Sequence, residues 1–375
     1  MAELDVTVVA GARPNFVKVA PLLRAFAAQG LTARLVNAGQ HNSPAMAGDL
    51  LRELGMPVPD ADLRIGPGTH AEQTARGMLA FEREFLDSRP AALVVVGDVN
   101  TTLTAALTAA KLSIPIAHVE AGLRSGDRSM PEEINRILTD HLSSWLFTTS
   151  ADSDENLARE GIRNDAIRLV GNVMVDTLLD SLPTALARGA ALRERLALHG
   201  DFGIVTLHRP SNVDSVLRLD ALLDLIEQVA RDLPLLFSVH PRTQAAFERR
   251  GKDLPSGVIS APPLAYLDFI GLLSRARLVL TDSGGVQEET SVLGVPCITL
   301  RDTTERPITC TAGTNAVLGP DVSRLPAMVS EVLASPRSTS RPVIPLWDGR
   351  AAGRIAAILA KDLGSRHIEP LGDRR

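Results

Sequence analysis

The sequence predicts an α/β protein of two open parallel sheets, and three observations carry that expectation. Short apolar runs rich in β-branched residues alternate with longer helical patterns along the chain, and strands separated by single helices form βαβ units whose sheets are buried on both faces. The series breaks and restarts across a Leu-, Ala- and Arg-rich stretch, LLDSLPTALARGAALRERLALHG, at residues 178–200. The length of 375 residues also exceeds what one hydrophobic core usually serves. Two similar domains are therefore expected, residues 1–172 and 173–349, joined near 172–185.

Taken in order, DVTVVA (5–10), LTARLVN (31–37), AALVVVGD (91–98), IPIAHVE (114–120), SSWLFTTS (143–150) and IRLVGN (167–172) are the expected strands of the first half. FGIVTLH (202–208), LPLLFSVH (233–240), GVISAP (257–262), ARLVLTD (276–282) and PCITL (296–300) are those of the second. The tail RHIEPLGDRR is polar and expected to fray.

Composition narrows the function classes. The chain is 22% charged and 45% hydrophobic with a net charge of −5, which suits a soluble globular protein and gives no general attraction to nucleic acid or an anionic membrane. No apolar run approaches the roughly 18–20 residues of a bilayer span. The start, MAELDVTVVAGARP, lacks the basic region of a secretory signal. Cys297 and Cys310 have no metal-type spacing and fit a reducing cytoplasm, so a cytoplasmic protein without a metal is expected.

Ligands of open parallel sheets bind at the carboxyl ends of the strands, and here those ends are polar. Val6 to Ala10 runs into Gly11-Ala12-Arg13-Pro14, and the later strands end at Gly97-Asp98, Glu120-Ala121-Gly122, His208-Arg209-Pro210, His240-Pro241-Arg242 and Asp282-Ser283-Gly284-Gly285. Asp98 and Glu120 close consecutive strands, so adjacent pairing brings both carboxylates to one mouth, where neighbours raise one another's pKa and make general acids and bases. The simpler roles are a helix cap for Asp98 and an ion pair with Arg124 for Glu120. In TDSGGVQEE, the glycines after the strand suit a phosphate at a helix N-terminus. The GxGxxA-like run Gly66 to Ala71 follows no clear strand and is not read as a dinucleotide site. His208, His240 and His41 lie at strand ends or just beyond, and Arg13, Lys18, Arg301 and Arg306 offer cations for a diphosphate.

The stretch MPEEINRILTD (130–140) starts as a helix, with Pro131 at its first position and Glu132 and Glu133 against the positive end of the dipole. Met130, Ile134, Ile137 and Leu138 share one face and Glu132 and Arg136 the opposite one. What the face of Glu132 and Arg136 looks at must come from the rest of the chain.

GARPNFVKVAPL, AGQH, VVVGDVNTTL, AHVEAGLRSGDRSMPEEINR, TLHRPSNVD, HPRT, LTDSGGVQEE and RDTTERP, in this order and spacing, resemble the non-hydrolysing UDP-N-acetylglucosamine 2-epimerases. The resemblance implies the glycosyltransferase-B fold, two Rossmann-like domains of which the second binds UDP, a site in the cleft between them, a C-terminal helix near 350–363 packing back on the first, and a homodimer. It implies interconversion of UDP-GlcNAc and UDP-ManNAc by elimination and re-addition of UDP, a route that needs no nicotinamide or other cofactor. By motif, Asp98, Glu120 and Glu132 resemble the family's carboxylates, with His208 assisting near the leaving diphosphate. The resemblance also implies that Glu132 and Arg136 face the site while the Met130, Ile134, Ile137 and Leu138 side holds the helix in place. Arg13, Lys18, Arg136, His240, Ser283, Gly284, Gly285, Glu289 and Arg306 resemble its UDP and sugar contacts, with Glu289 the ribose partner. GDVNTT departs from the commoner GDTTTT, GQHNSPAM lacks the arginine that often follows GQH, and GARPNFVK also resembles relatives acting on UDP-2,3-diacetamido sugars. The alternatives are that diacetamido substrate, a hydrolysing epimerase, a glycosyltransferase and a catalytically silent nucleotide-sugar sensor.

Overall fold

The computed structural model describes residues 5–39, 44–250, 254–337 and 340–366. His41 and the tail beyond 366 lie outside the described residues. The chain divides into two compact units, Met1–Thr177 with Pro345–Arg375, and Leu178–Ile344.

In the first unit the strands are β1 (Val6–Ala10), β2 (Ala33–Asn37), β3 (Ala61–Asp62), β4 (Ala92–Val96), β5 (Ile116–Ala121), β6 (Trp145–Thr148) and β7 (Ile167–Leu169). They alternate with α1 (Arg13–Ala28), α2 (Pro44–Glu53), α3 (His70–Asp87), α4 (Asn100–Lys111), α5 (Pro131–Leu142) and α6 (Ala151–Arg159), and α7 (Val173–Arg195) carries the chain across the boundary at Thr177. The sheet is wholly parallel in the order β3-β2-β1-β4-β5-β6-β7. Every residue of β1, β4 and β5 is buried, as a sheet covered on both faces requires. Between sheet and helices, Val95, Leu93 and Ile116 pack with Phe81, Phe85, Ala105 and Ala109.

The chain returns to this unit at Pro345. Gly171, at φ +91°, lies so close to the Leu346 carbonyl that any Cβ would overlap it. Trp347 Nε1 donates to the Thr149 carbonyl at 2.9 Å. The helix α15 (Ala351–Arg366) is capped by Asp176 of α7, whose carboxylate accepts the Ala351 and Ala352 N–H groups at 3.1 and 2.8 Å. Such a carboxylate satisfies donors that a helix N-terminus leaves unpaired. Farther along, Trp145 Nε1 donates to Asp362 at 2.8 Å.

The second unit holds β8 (Gly203–Thr206), β9 (Leu235–Ser238), β10 (Val258–Ala261), β11 (Leu278–Thr281), β12 (Cys297–Thr299) and β13 (Asn315–Val317), again parallel, in the order β10-β9-β8-β11-β12-β13. Its helices are α8 (Pro210–Val213), α9 (Val216–Ala230), α10 (Pro241–Arg250), α11 (Tyr266–Leu273), α12 (Gly284–Leu293), α13 (Ile308–Thr311) and α14 (Leu325–Ala334). Leu222 and Ile226 of α9 pack onto Leu235, Phe237 and Leu280, each fully buried and each worth about 1.5–3 kcal/mol.

All eleven strands expected from sequence are present. Two more, β3 and β13, are two and three residues long and carry no apolar run to mark them. The strand order reverses between β1 and β4 and between β8 and β11, so each sheet has one switch point where its carboxyl ends open. Among the described residues no helix is long and apolar enough to cross a membrane.

Candidate active site

At the first switch point Asn15 of α1 ties two strand ends together. Its side-chain oxygen accepts the Gly11 and Ala12 N–H groups at 3.1 and 2.9 Å, and its amide donates to the Val96 carbonyl at 3.2 Å. Lys18, one turn on, forms an ion pair with Glu120 at the end of β5, and both side chains are at least nine-tenths buried. Gly97 lies beneath them at φ +67°, where a Cβ would stand 3.0 Å from Lys18 Nζ and 3.7 Å from a Glu120 oxygen. Glu120 itself sits at φ +72°. A side chain held there stores about 1–3 kcal/mol, a cost that persists where the surroundings over-determine the conformation. Glu120 is thus paired with Lys18, while the Arg124 considered for it binds Asp140 at 2.8 Å and Glu160 at 2.7 Å.

Asp98, partly exposed, meets Arg136 at 2.6 Å, and Arg136 meets Glu133 at 2.7 Å. The N-cap position of α4 is Val99 rather than Asp98. Glu132, half-buried in the first turn of α5, lies four residues before Arg136 on the same side of the helix. Arg13 is half-buried at the start of α1.

The packing expected for α5 is corrected. Ile134 and Leu138 are 43% and 46% exposed, whereas Glu133, Asn135, Arg136, Thr139 and Asp140 are buried. Apolar periodicity fails here because the buried polar groups have partners: Glu133 accepts the Ser125 and Gly126 N–H groups at 3.0 and 2.9 Å, and Asn135 donates to the Asp98 carbonyl at 2.9 Å. Buried polar groups held by such partners can take the place of an apolar face.

At the second switch point, Asp282 ends β11 fully buried. Its carboxylate accepts the His208 and Arg209 N–H groups at 3.0 and 2.9 Å and the Asn212 amide at 3.1 Å, and stands 2.8 Å from His208 Nδ1. Burial pushes its pKa up, but the hydrogen bond and charge of His208 and the Arg209 N–H bring it net below the usual value. Since Nδ1 serves Asp282, Nε2 is the nitrogen left for a ligand. The His240 ring lies 5.5 Å from that of His208. Ser283 caps α12 without a side-chain hydrogen bond, which leaves the helix start to an anion. Gly284 has no space for a Cβ because the Arg306 guanidinium lies against it, whereas Gly285 is half-buried.

Arg306 and Glu289 are both buried, so neither is a surface charge. Arg306 Nε lies 2.8 Å from Glu288, and Nη1 pairs with Glu305. Burial, and then the charge of Glu288, push the Glu289 carboxyl up to about 8, opposed by Tyr266 beside it. Between the ordinary value of 4.5 and about 8 the folded chain keeps a proton that the unfolded chain has released. Stability from this group is therefore fully present below 4.5 and falls through that window, by at most about 1.4 kcal/mol per pH unit. We expect Glu289→Gln to remove that slope, so its urea midpoint gains on wild type as pH rises toward 8 and no further above it. Parallel midpoint curves would contradict a neutral native Glu289.

Sequence reading missed the amides that brace these turns. Asn100 donates to Gln73 at 2.7 Å and accepts from Asn135 at 3.1 Å, and it is buried with Thr101 and Thr102 beside it. The one available signal was polar residues clustered directly after apolar strands. Among the described residues no group of three or more His, Cys, Asp or Glu side chains is placed to hold a metal ion.

A family model described as UDP-N-acetylglucosamine 2-epimerase matches residues 24–360. The UDP-N-acetylglucosamine 2-epimerase of Methanocaldococcus jannaschii is 40% identical over 95% of this chain and 99% of its own. The UDP-2,3-diacetamido-2,3-dideoxy-D-glucuronate 2-epimerase of Pseudomonas aeruginosa is 39% identical over 96% of this chain and 100% of its own. The crystal structure of the M. jannaschii enzyme in complex with UDP-GlcNAc and UDP superposes with a TM-score of 0.88 at 39% identity, covering 95% of this chain and 99% of that one. That of the Neisseria meningitidis enzyme bound to UDP-GlcNAc gives 0.86 at 28%, covering 95% and 100%. With two glycosyltransferase-B-type sheets and a match over most of its length, this chain belongs to the UDP-N-acetylglucosamine 2-epimerase family.

Proposed function

We propose that this chain interconverts UDP-GlcNAc and UDP-ManNAc without net hydrolysis. One observation carries the reading: Asp98 and Glu120 lie just past the paired ends of the adjacent strands β4 and β5, each against a buried cation. The C2 proton is not next to a carbonyl, so direct removal is unfavourable. Breaking the C1–O bond first sends UDP away with the electron pair, and loss of the C2 proton then gives the neutral 2-acetamidoglucal. Return of a proton to the other face of C2 and of UDP to C1 completes the inversion. No atom changes oxidation state overall. Asp98, Glu120 and Glu132 supply the acid/base groups and the negative charge beside C1. His208 assists at the departing diphosphate, while Arg13, Lys18, Arg136, His240, Ser283, Gly284, Gly285 and Arg306 bind UDP and sugar and Glu289 the ribose.

Proton NMR with UDP-GlcNAc in D2O tests this. UDP-ManNAc carrying deuterium at C2, with little free UDP, is the expected outcome; free sugar would indicate hydrolysis, and UDP binding without exchange a sensor. The same chemistry on a UDP-2,3-diacetamido sugar is the second reading, favoured by the 39% identity to the P. aeruginosa enzyme, and exchange with that substrate alone would select it.

The homodimer is also proposed. Leu79 and Leu86 of α3 and Ile134 and Leu138 of α5 are 43–65% exposed, on helices that both pack against α4. Such apolar patches mark interaction surfaces. Ile134→Glu with Leu138→Glu is expected to halve the mass in sedimentation equilibrium; an unchanged mass would discard this face as the interface. A cytoplasmic location, suggested by the unpaired cysteines, is part of the same reading.

A further inference from the structure

Within the apolar strand β5, His118 is completely buried at a position where a parallel sheet normally carries Val, Ile or Leu. Its Nδ1 lies 2.7 Å from an Asp140 oxygen and its Nε2 2.9 Å from the Gly97 carbonyl. A carboxylate and a carbonyl only accept, so both ring nitrogens must donate and the ring is an imidazolium. The other Asp140 oxygen accepts the Gly122 N–H at 3.2 Å and pairs with Arg124 at 2.8 Å, and Arg124 pairs with Glu160. Burial alone would push the Asp140 carboxyl up, but His118 and then Arg124 hold it below the usual value, which keeps it a carboxylate.

The two groups this pair grips flank the proposed catalytic carboxylates. Gly97 precedes Asp98, and its peptide is held on both sides, by its own N–H to the Val119 carbonyl at 3.1 Å and by His118 on its carbonyl. Gly122 follows Glu120 by two residues, and its N–H is held by Asp140. Both turns take left-handed backbone, Gly97 at φ +67°, Glu120 at +72° and Gly122 at +80°. A buried ion pair is weak evidence for stability, since a well-packed apolar pair commonly does as well. Something other than stability accounts better for a charge at the centre of a sheet.

We propose that the His118–Asp140 pair is a positioning device for the epimerisation: a histidine that donates from both ring nitrogens and so fixes the strand-end turns carrying Asp98 and Glu120 without touching the substrate. The inference rests on the reaction proposed above for its kinetic consequence, while its structural half stands alone.

Two experiments separate those halves. In wild-type protein labelled with 15N-histidine, both ring nitrogens of His118, assigned by loss of signal in His118→Gln, are expected to carry protons; a neutral ring with one bare nitrogen would overturn the proposal whatever the reaction. Kinetically, His118→Gln still reaches Gly97 and His118→Asn still reaches Asp140, but neither spans both. Each is expected to lower kcat about 10²-fold, the size of effect that small misplacement produces, with KM and UDP affinity unchanged. Wild-type kcat in both variants, or a change confined to KM, would also overturn it. Should wild type exchange no C2 proton on either sugar, the proposed reaction fails while the ring-protonation result stands.

Discussion

Glu120→Gln and Glu132→Gln are each expected to cut turnover by about 10²–10⁴-fold, the range removed with a general acid or base, while UDP affinity measured by calorimetry stays near wild type. The second half of that expectation follows from the division of labour. The α12 start, His208 and Glu289, proposed above to hold UDP, all belong to the unit Leu178–Ile344, whereas Glu120 and Glu132 belong to the other. Glu120→Gln has a further consequence, because Lys18 is buried against that carboxylate and loses its counter-charge. Its unfolding midpoint should therefore fall, while that of Glu132→Gln, half-exposed at the helix start, should barely move. Wild-type rates in both variants would remove these residues from the catalytic set.

Arg136→Met should be the most destabilising substitution in the site, by about 3–5 kcal/mol in urea unfolding, as expected when one partner of a buried charge pair is deleted. Arg136 is 1% exposed and lies between Asp98 and Glu133, at 2.6 and 2.7 Å. Methionine fills much of the space but leaves two carboxylates facing each other without the cation. Adding Glu133→Gln to Arg136→Met should then recover part of the loss, since it removes one uncompensated charge. Additive losses in the double variant would mean that the guanidinium and Glu133 are not coupled.

The fold was legible because its signal is local. Val6–Ala10, Ala92–Val96 and Leu278–Thr281 are apolar runs interrupted only by threonine, as strands buried on both faces read. The carboxyl ends were legible for the same reason, as the abrupt change from Val-Val-Val to Gly97-Asp98 occurs within one stretch of chain. Helix α5 was not. Its periodicity divides Ile134 and Leu138 from Asn135, Arg136 and Asp140 correctly, but periodicity says only that there are two faces. Which face turns inward depended on groups distant in sequence, Asp98 for Arg136 and His118 for Asp140.

By itself, then, the sequence determined two parallel sheets, the polar residues at their strand ends and the family motifs, because each is written in contiguous residues. The tertiary structure decided the strand order that makes β1–β4 and β8–β11 the switch points, and the partners of Lys18, Glu120, Arg136 and Arg306. It also decided the burial that leaves Glu289 protonated to about pH 8. Charges cannot be assigned partners or desolvation until strands far apart in the chain lie side by side, and both quantities set the electrostatics of a site.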